Sequence, residues 1–470
     1  MTDFKEINLE SIARYGKDFD NDPTAAMISN ALSFNYLSWI AKNRSHIQER
    51  NDTFSNEIDP QLEVTNQESS GRCWLFSILN IIRFEIIKKY KLPENFELSQ
   101  SYLSFWDKFE KCNYFLNTII ESDTINLSDD FIRDLFYDPI SDGGYWETGI
   151  YLIKKYGLVP KDNFKESSNS SDTDELNNVV GYKLKEFANT LSKINNKNKR
   201  YQKKDKMMQV IYNMLCKLFG KPPHPSEQFT WEYTESIELT DILERESKRR
   251  RLDDERIFEN FMLKKVIKTS PLEFYEKHVP FNCDRYTILG TDPRNKYYEY
   301  YTTKGNKYKL YKGYTTGFYN VPMNILTNYV AKSILNNTPV VFHCDVGNFI
   351  DMENNVLDTD CFDYDSVFNT SFTKMNRKDC LNTFNSYSTH AMVFTGVDLD
   401  NGGKPAKWKV ENSWGTYGLN KGYYTMSQKW FERFVYTVVI DHDFLTDKMF
   451  ENITNGETNP TYLPHYDPMV

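Results

Sequence analysis

Asn66-Gln67-Glu68-Ser69-Ser70-Gly71-Arg72-Cys73-Trp74 is a turn-forming run that places Ser-Ser-Gly just before a cysteine and then enters an apolar segment. From Trp74 to Ile87 only Ser77, Asn80, Arg83 and Glu85 interrupt the hydrophobic residues. An apolar stretch of this length without strict alternation predicts a buried helix rather than a strand. Cys73 is therefore expected in the first turn of a core helix, where free backbone N–H groups and the positive end of the helix dipole favour an anion. Both effects predict a thiol with a lowered pKa. Gln67, six positions earlier, is placed to offer its side-chain amide toward the same point. With the Cys73 backbone N–H it would make a two-donor hole for an oxyanion. The plain alternative is a small buried hydrophobe, the usual fate of a lone helix cysteine.

Two distant segments decide between these readings. Ser388-Thr389-His390-Ala391-Met392-Val393-Phe394 sets a histidine at the mouth of a β-branched and aromatic run. Trp408-Lys409-Val410-Glu411-Asn412-Ser413-Trp414-Gly415 ends a second strand on an asparagine. A thiol nucleophile needs an imidazole to hold its proton, and the imidazole needs a third group to fix its tautomer. An asparagine carbonyl does that without adding charge. Cys73, His390 and Asn412 are the candidate catalytic residues, with Gln67 as oxyanion donor.

Gln67…Cys73-Trp74, His390-Ala391 and Asn412-Ser413-Trp414-Gly415 resemble the papain-like cysteine proteases. The longer forms around Cys73 and His390 resemble the bleomycin hydrolase/aminopeptidase C branch. Asp142-Gly143-Gly144-Tyr145-Trp146, Lys155-Tyr156-Gly157-Leu158-Val159-Pro160, His343-Cys344-Asp345-Val346-Gly347 and Asp467-Pro468-Met469 agree with it. The resemblance implies an α+β, two-lobed papain-like fold, with a helical lobe carrying the nucleophile and a β-rich lobe carrying the base. It implies an aminopeptidase acting on peptides through a thioester, with Trp414 shielding the Asn412–His390 contact from water. It also implies a homohexamer whose sites face an internal space. No cofactor and no metal are expected.

The whole chain sets the bounds. A hydrophobic fraction of 40% and an aromatic fraction of 15% over 470 residues supply a large core and exclude a disordered chain. With 57 lysines and arginines against 66 acidic residues, the net charge is −9, which predicts no general affinity for nucleic acid. Seven scattered cysteines contain no Cys-x-x-Cys pair, so neither a disulfide framework nor a zinc site is expected. No apolar run is long enough to cross a bilayer, and Met1-Thr2-Asp3-Phe4-Lys5-Glu6 has no apolar signal-peptide core. A cytoplasmic, reduced protein is the expectation.

Along the chain, residues 1–60 are expected as a helical arm wrapped on the catalytic body. Helical spacing runs from Thr24 to Ile47 through Met27, Ala31, Leu32, Tyr36, Leu37 and Ile40. Residues 61–180 form the helical lobe, with Ser99 to Phe109 helical and Glu166 to Asp172 an exposed loop. Residues 181–300 form a helical, partly basic insertion. Residues 183–221 hold eleven lysines or arginines against Glu186 and Asp205, above an apolar stripe of Met207, Val210, Ile211, Met214 and Leu215. That segment reads as a solvated helix face, or as a basic lining for acidic peptides or nucleic acid. Lys248-Arg249-Arg250-Arg251 reads as a surface helix. Residues 73 and 390 lie 317 positions apart, against roughly 130–150 in papain and cathepsins, so the surplus is insertion. Residues 301–450 form the β-rich lobe, with a hairpin pattern over Tyr297 to Phe318 and strands near His343, His390, Trp408 and Tyr436. His343 and Cys344 adjoin on a strand and point to opposite faces, so they make no second catalytic pair.

Residues 451–470 form a tail expected to enter the cleft. In the bleomycin hydrolase branch the terminal carboxylate of this tail anchors the substrate's free amine. Relatives continue for roughly three more residues past Asp-Pro-Met, about 10 Å of extended chain. The Val470 carboxylate is thus expected to stop short and leave further unprimed subsites open. The alternatives are therefore an oligopeptidase or endopeptidase, or a nucleic-acid-binding protein on the same fold.

Overall fold

The computed structural model describes residues 5–122, 129–237, 261–303 and 316–469. The apolar run after Gly71 folds as the helix Cys73–Tyr90, with thirteen of its eighteen residues buried. A helix buried on nearly every face needs neighbours all round. Helices Gln100–Glu121 and Trp146–Tyr156 and the strand His390–Leu399 supply them. Each large apolar side chain taken from water contributes about 1.5–3 kcal/mol, so this helix is among the most firmly fixed parts of the chain. Its polar interruptions are answered from within. Arg83 donates to the carbonyls of Phe96 and Glu63 and pairs with Glu411 at 2.9 Å. Asn80 donates to Thr65 Oγ1 at 3.1 Å.

The second half is a twelve-stranded mixed sheet, which with the helices makes the fold α+β as expected. At its centre Val435–Asp441, Val340–Cys344, His390–Leu399 and Pro405–Glu411 lie side by side, each pair antiparallel. Their β-branched and aromatic residues are buried almost without exception, as strands covered on both faces require. The register pairs His390 with Cys344 and Val393 with Glu411. Carried one residue further, it sets Asn412 level with Met392. Asn412 is then the diagonal neighbour of His390 on one face, close enough for side chains to meet.

Several expectations change. The arm is four helices, Leu9–Asp20, Ala25–Phe34, Leu37–Ile40 and Arg44–Glu49. Its first three do not wrap the body: Leu9 is 82% and Phe34 88% exposed, and Met27 and Tyr36 also face solvent. Helical spacing is real there, but periodicity does not say what a stripe packs against. The chain docks from Ala41 onward, through the Asp363 N–H to Ala41 O at 2.7 Å, Lys42–Asp351 at 3.1 Å and His46–Asp358 at 2.8 Å. Residues 166–172 are not a free loop. Ser168–Ser171 is a helical turn closed by a Ser167/Ser170 capping box, with Ser170 buried. In the basic segment, helices Asp174–Ser192 and Lys197–Phe219 bury Met207, Ile211 and Leu215, whereas Val210 is exposed. The hairpin pattern of 297–318 resolves into Tyr300–Thr303 paired antiparallel with Gly317–Asn320. Residues 248–251 lie outside the described residues.

Candidate active site

The turn before Cys73 is held from several sides. Asp142 accepts the Gly71 N–H at 2.9 Å, and its carbonyl accepts Trp74 Nε1 at 2.8 Å. Asp142 is itself ionised well below the usual carboxylate range, because Lys108, Thr173 and the Gly71 amide outweigh its burial. Lys108 and Lys111 donate to the carbonyls of residues 140, 141 and 143, which fixes the neighbouring loop. Gly144 rests on the Trp74 indole, where a Cβ would lie 2.5 Å from the ring. Only glycine fits there. Arg72, buried, pairs with Glu166 at 3.0 Å and donates to Ser70 Oγ at 2.8 Å.

Cys73 is the first residue of its helix, as expected. Its thiol lies within reach of its own N–H, that of Trp74 and that of Ala391 on the facing strand. The expectation of a lowered thiol pKa does not hold. Burial pushes Cys73 up to about 11, and these three amides only partly offset it. Desolvation outweighs the helix end here.

His390 opens its strand and is buried, and Nε2 lies 2.8 Å from Asn412 Oδ1. The Asn412 orientation follows from its second contact. Oδ1 also meets the Ser413 backbone N–H at 2.8 Å, and an N–H requires an acceptor. Oδ1 is thus the oxygen, and His390 Nε2 is the donor. Burial holds His390 down to about 4, against the raising effect of Asn412, so the ring is neutral and Nδ1 carries the lone pair. Trp414 lies against the imidazole, ring centroids 4.9 Å apart at 36°. Gly415, at φ +68°, turns the chain after it, and its N–H donates to Thr65 O at 3.0 Å.

Gln67 belongs to both halves. Its backbone N–H donates to Ser413 O at 2.8 Å and its Oε1 accepts Ser413 Oγ at 2.6 Å. Nε2 donates one hydrogen to Ser70 O. An amide nitrogen has a second, and Gln67 borders the cavity.

Cys73, His390, Gln67, Trp74, Tyr145 and Met469 line one cleft of about 370 Å³ between the helical and β-rich halves. The tail reaches it. Ser388 N–H donates to Pro468 O at 3.0 Å, and Asp467 pairs with Arg294 at 2.7 Å. Met469 is buried there, and Val470 lies outside the described residues. His343 also borders the cleft while Cys344 is turned into the core, as the alternation predicts. Among the described residues no three His, Cys, Asp or Glu form a metal cluster, and no helix is long and apolar enough to cross a membrane.

Sequence reasoning did not assign Ser413, Asp142 or Glu147. The first two stand in motifs already quoted, but their partners are remote in sequence. Glu147 lies one residue past such a motif, and its role depends on what it lacks.

The profile of the Peptidase C1-like family matches residues 6–243 and 253–470. Human (Homo sapiens) bleomycin hydrolase is 33% identical over 98% of this chain and 98% of its own length. Aminopeptidase C of Lactobacillus delbrueckii subsp. lactis is 34% identical over 99% of this chain and 98% of its own. The crystal structure of pepw from Lactobacillus rhamnosis HN001 superposes with a TM-score of 0.88 at 33% identity, covering 99% of this chain and 98% of that one.

Proposed function

Because the chain belongs to the Peptidase C1-like family and is a cysteine aminopeptidase of the bleomycin hydrolase type, we propose that Cys73 is its nucleophile, His390 its base and Asn412 the group that orients the base. The observation that carries this is the Asn412 contact, which fixes the hydrogen on Nε2 and leaves bare Nδ1 for the thiol. With the thiol and the imidazole both neutral at rest, the thiol proton passes to Nδ1 as sulfur attacks the peptide carbonyl. The oxyanion lies between the Cys73 N–H and the second Gln67 Nε2 hydrogen. Protonated His390 gives its proton to the leaving amine, and a thioester remains on Cys73. His390 then takes a proton from water, whose oxygen attacks the thioester; the C–S bond breaks, the acid leaves, and His390 returns the proton to the Cys73 sulfur. Trp414 keeps water from the Asn412–His390 contact.

The tail closes one end of the cleft with Met469, which supports removal of short N-terminal pieces. An assembly such as a homohexamer is supported by the arm, whose first helices turn Leu9, Met27 and Phe34 to solvent. Seven free cysteines support a reducing, cytoplasmic setting. The test is hydrolysis of one peptide with its amino terminus free and blocked, beside a sizing column. The account expects cleavage of the free form alone, by a species several times the mass of the 55.5 kDa chain. Equal cleavage of both would contradict the aminopeptidase reading, and a monomer would contradict the assembly.

A further inference from the structure

Glu147 stands in the first turn of helix Trp146–Tyr156, in the wall between the catalytic cleft and a second cavity bordered by Tyr300 and Glu457. Its carboxylate is met by two backbone N–H groups, its own and that of Gly317, the latter donating to Oε1 at 3.2 Å. Oε2 is buried and meets no donor among the described residues. Several other inward-facing carboxylates of this protein are answered by cations, while buried Asp345 is answered by the Asn348 amide and the Ser386 hydroxyl. Glu411 has Arg83, Asp142 has Lys108, Asp107 has Lys111 and Asp292 has Arg294. Among the described residues Glu147 has no such partner, and the charge that acts on it is a second carboxylate, Glu457.

A buried carboxylate with an empty acceptor is costly unless something positive arrives. Burial first, and then Glu457, push Glu147 up to about 8, so it holds a proton near neutral pH. The helical half supplies this group and the β-rich half, through Gly317, holds it at the substrate cleft. We propose that Glu147 receives a positively charged group of the peptide substrate, an ammonium or guanidinium, inside the catalytic cleft. The inference rests on the peptidase reading above. The incoming cation pairs with the carboxylate from the cleft side, and Glu147 releases its proton to solvent as the pair forms. A substrate without the cation leaves the carboxyl unanswered, which makes the residue a specificity determinant and not a member of the reacting set. Two sources share this chemistry: the substrate's α-amine and a lysine or arginine side chain.

The test compares the full-length enzyme with Glu147→Gln, a near-isosteric change that removes the ionisable carboxyl and its ability to pair with a cation. Substrates are free-amine aminoacyl coumarylamides of leucine, norleucine, lysine, citrulline and arginine, and kcat/KM is read for each. Alkylation of Cys73 by iodoacetamide reports the site's integrity. The expected result is a loss of about tenfold or more in kcat/KM with the alkylation rate unchanged. A loss confined to lysine and arginine assigns the side chain as the cation; an equal loss on all five assigns the α-amine. Values within twofold of wild type on every substrate overturn the proposal. Slowed alkylation accompanying the loss also overturns it, since Glu147 would then be holding the site's structure. Failure of the peptidase reading would show separately, as a wild-type enzyme inactive on all five.

Discussion

Gln67→Ala removes one hydrogen-bond donor from the place where negative charge develops during attack. The loss of such a donor costs on the order of 10²–10³ in kcat, or about 2.7–4 kcal/mol. The donor serves the tetrahedral oxyanion and not the bound ground state, so KM should change little. The structure adds a complication, because Gln67 is also a strut. Its Oε1 holds Ser413 Oγ at 2.6 Å, next to Asn412, and the alanine leaves that buried hydroxyl unpaired. An orphaned group of this kind costs about 1–3 kcal/mol of stability. Ser413→Ala separates the two roles. It releases the strut but keeps the Gln67 amide, and should cost less than tenfold in kcat if the amide is the catalytic element. The assay is kcat and KM on a free-amine leucyl substrate for both variants, with thermal melts alongside. A raised KM at constant kcat, or equal kcat losses in the two variants, would refute an oxyanion role for Gln67.

Two further outcomes follow from the same geometry. Gly144→Ala should destabilise by about 1–3 kcal/mol and lower activity, because its Cβ enters the Trp74 ring beside Cys73; a melt and a kcat unchanged from wild type would show that the indole is free to move. Burial, with the His390 ring beside it, holds His343 down to about 4 against an unfolded value near 6.5. The folded state then binds fewer protons than the unfolded state between those values, so stability falls as pH falls from about 6.5 to 4. This group contributes about 1–3 kcal/mol to that loss, and His343→Asn should flatten the melting temperature over that window.

The proposed catalytic residues stand out in the sequence because each sits in its own local signature. Ser-Ser-Gly before a cysteine and an apolar run sets a turn and a helix start. A histidine heading a β-branched run, and an asparagine closing the next one, mark adjacent strand ends. What local pattern could not convey was the balance of solvation. The helix end at Cys73 was read correctly, but not the burial by the facing strand, and burial decides the thiol's pKa. The arm failed for a related reason: its stripe is genuine, but its covering surface is absent from the described chain. Residues 166–172 looked like a polar loop because serine is also the residue that caps a turn, and the Arg72–Glu166 pair is a contact no local pattern reveals.

The central claim is that Cys73 forms the thioester, and the most direct measurement is to trap it. The enzyme is quenched in acid during turnover of a leucyl p-nitrophenyl ester, digested, and each of the seven cysteine peptides weighed. The account predicts a single leucyl adduct, on Cys73, absent in Cys73→Ala together with all peptidase activity. An adduct on another cysteine, or turnover that survives in Cys73→Ala, would contradict it.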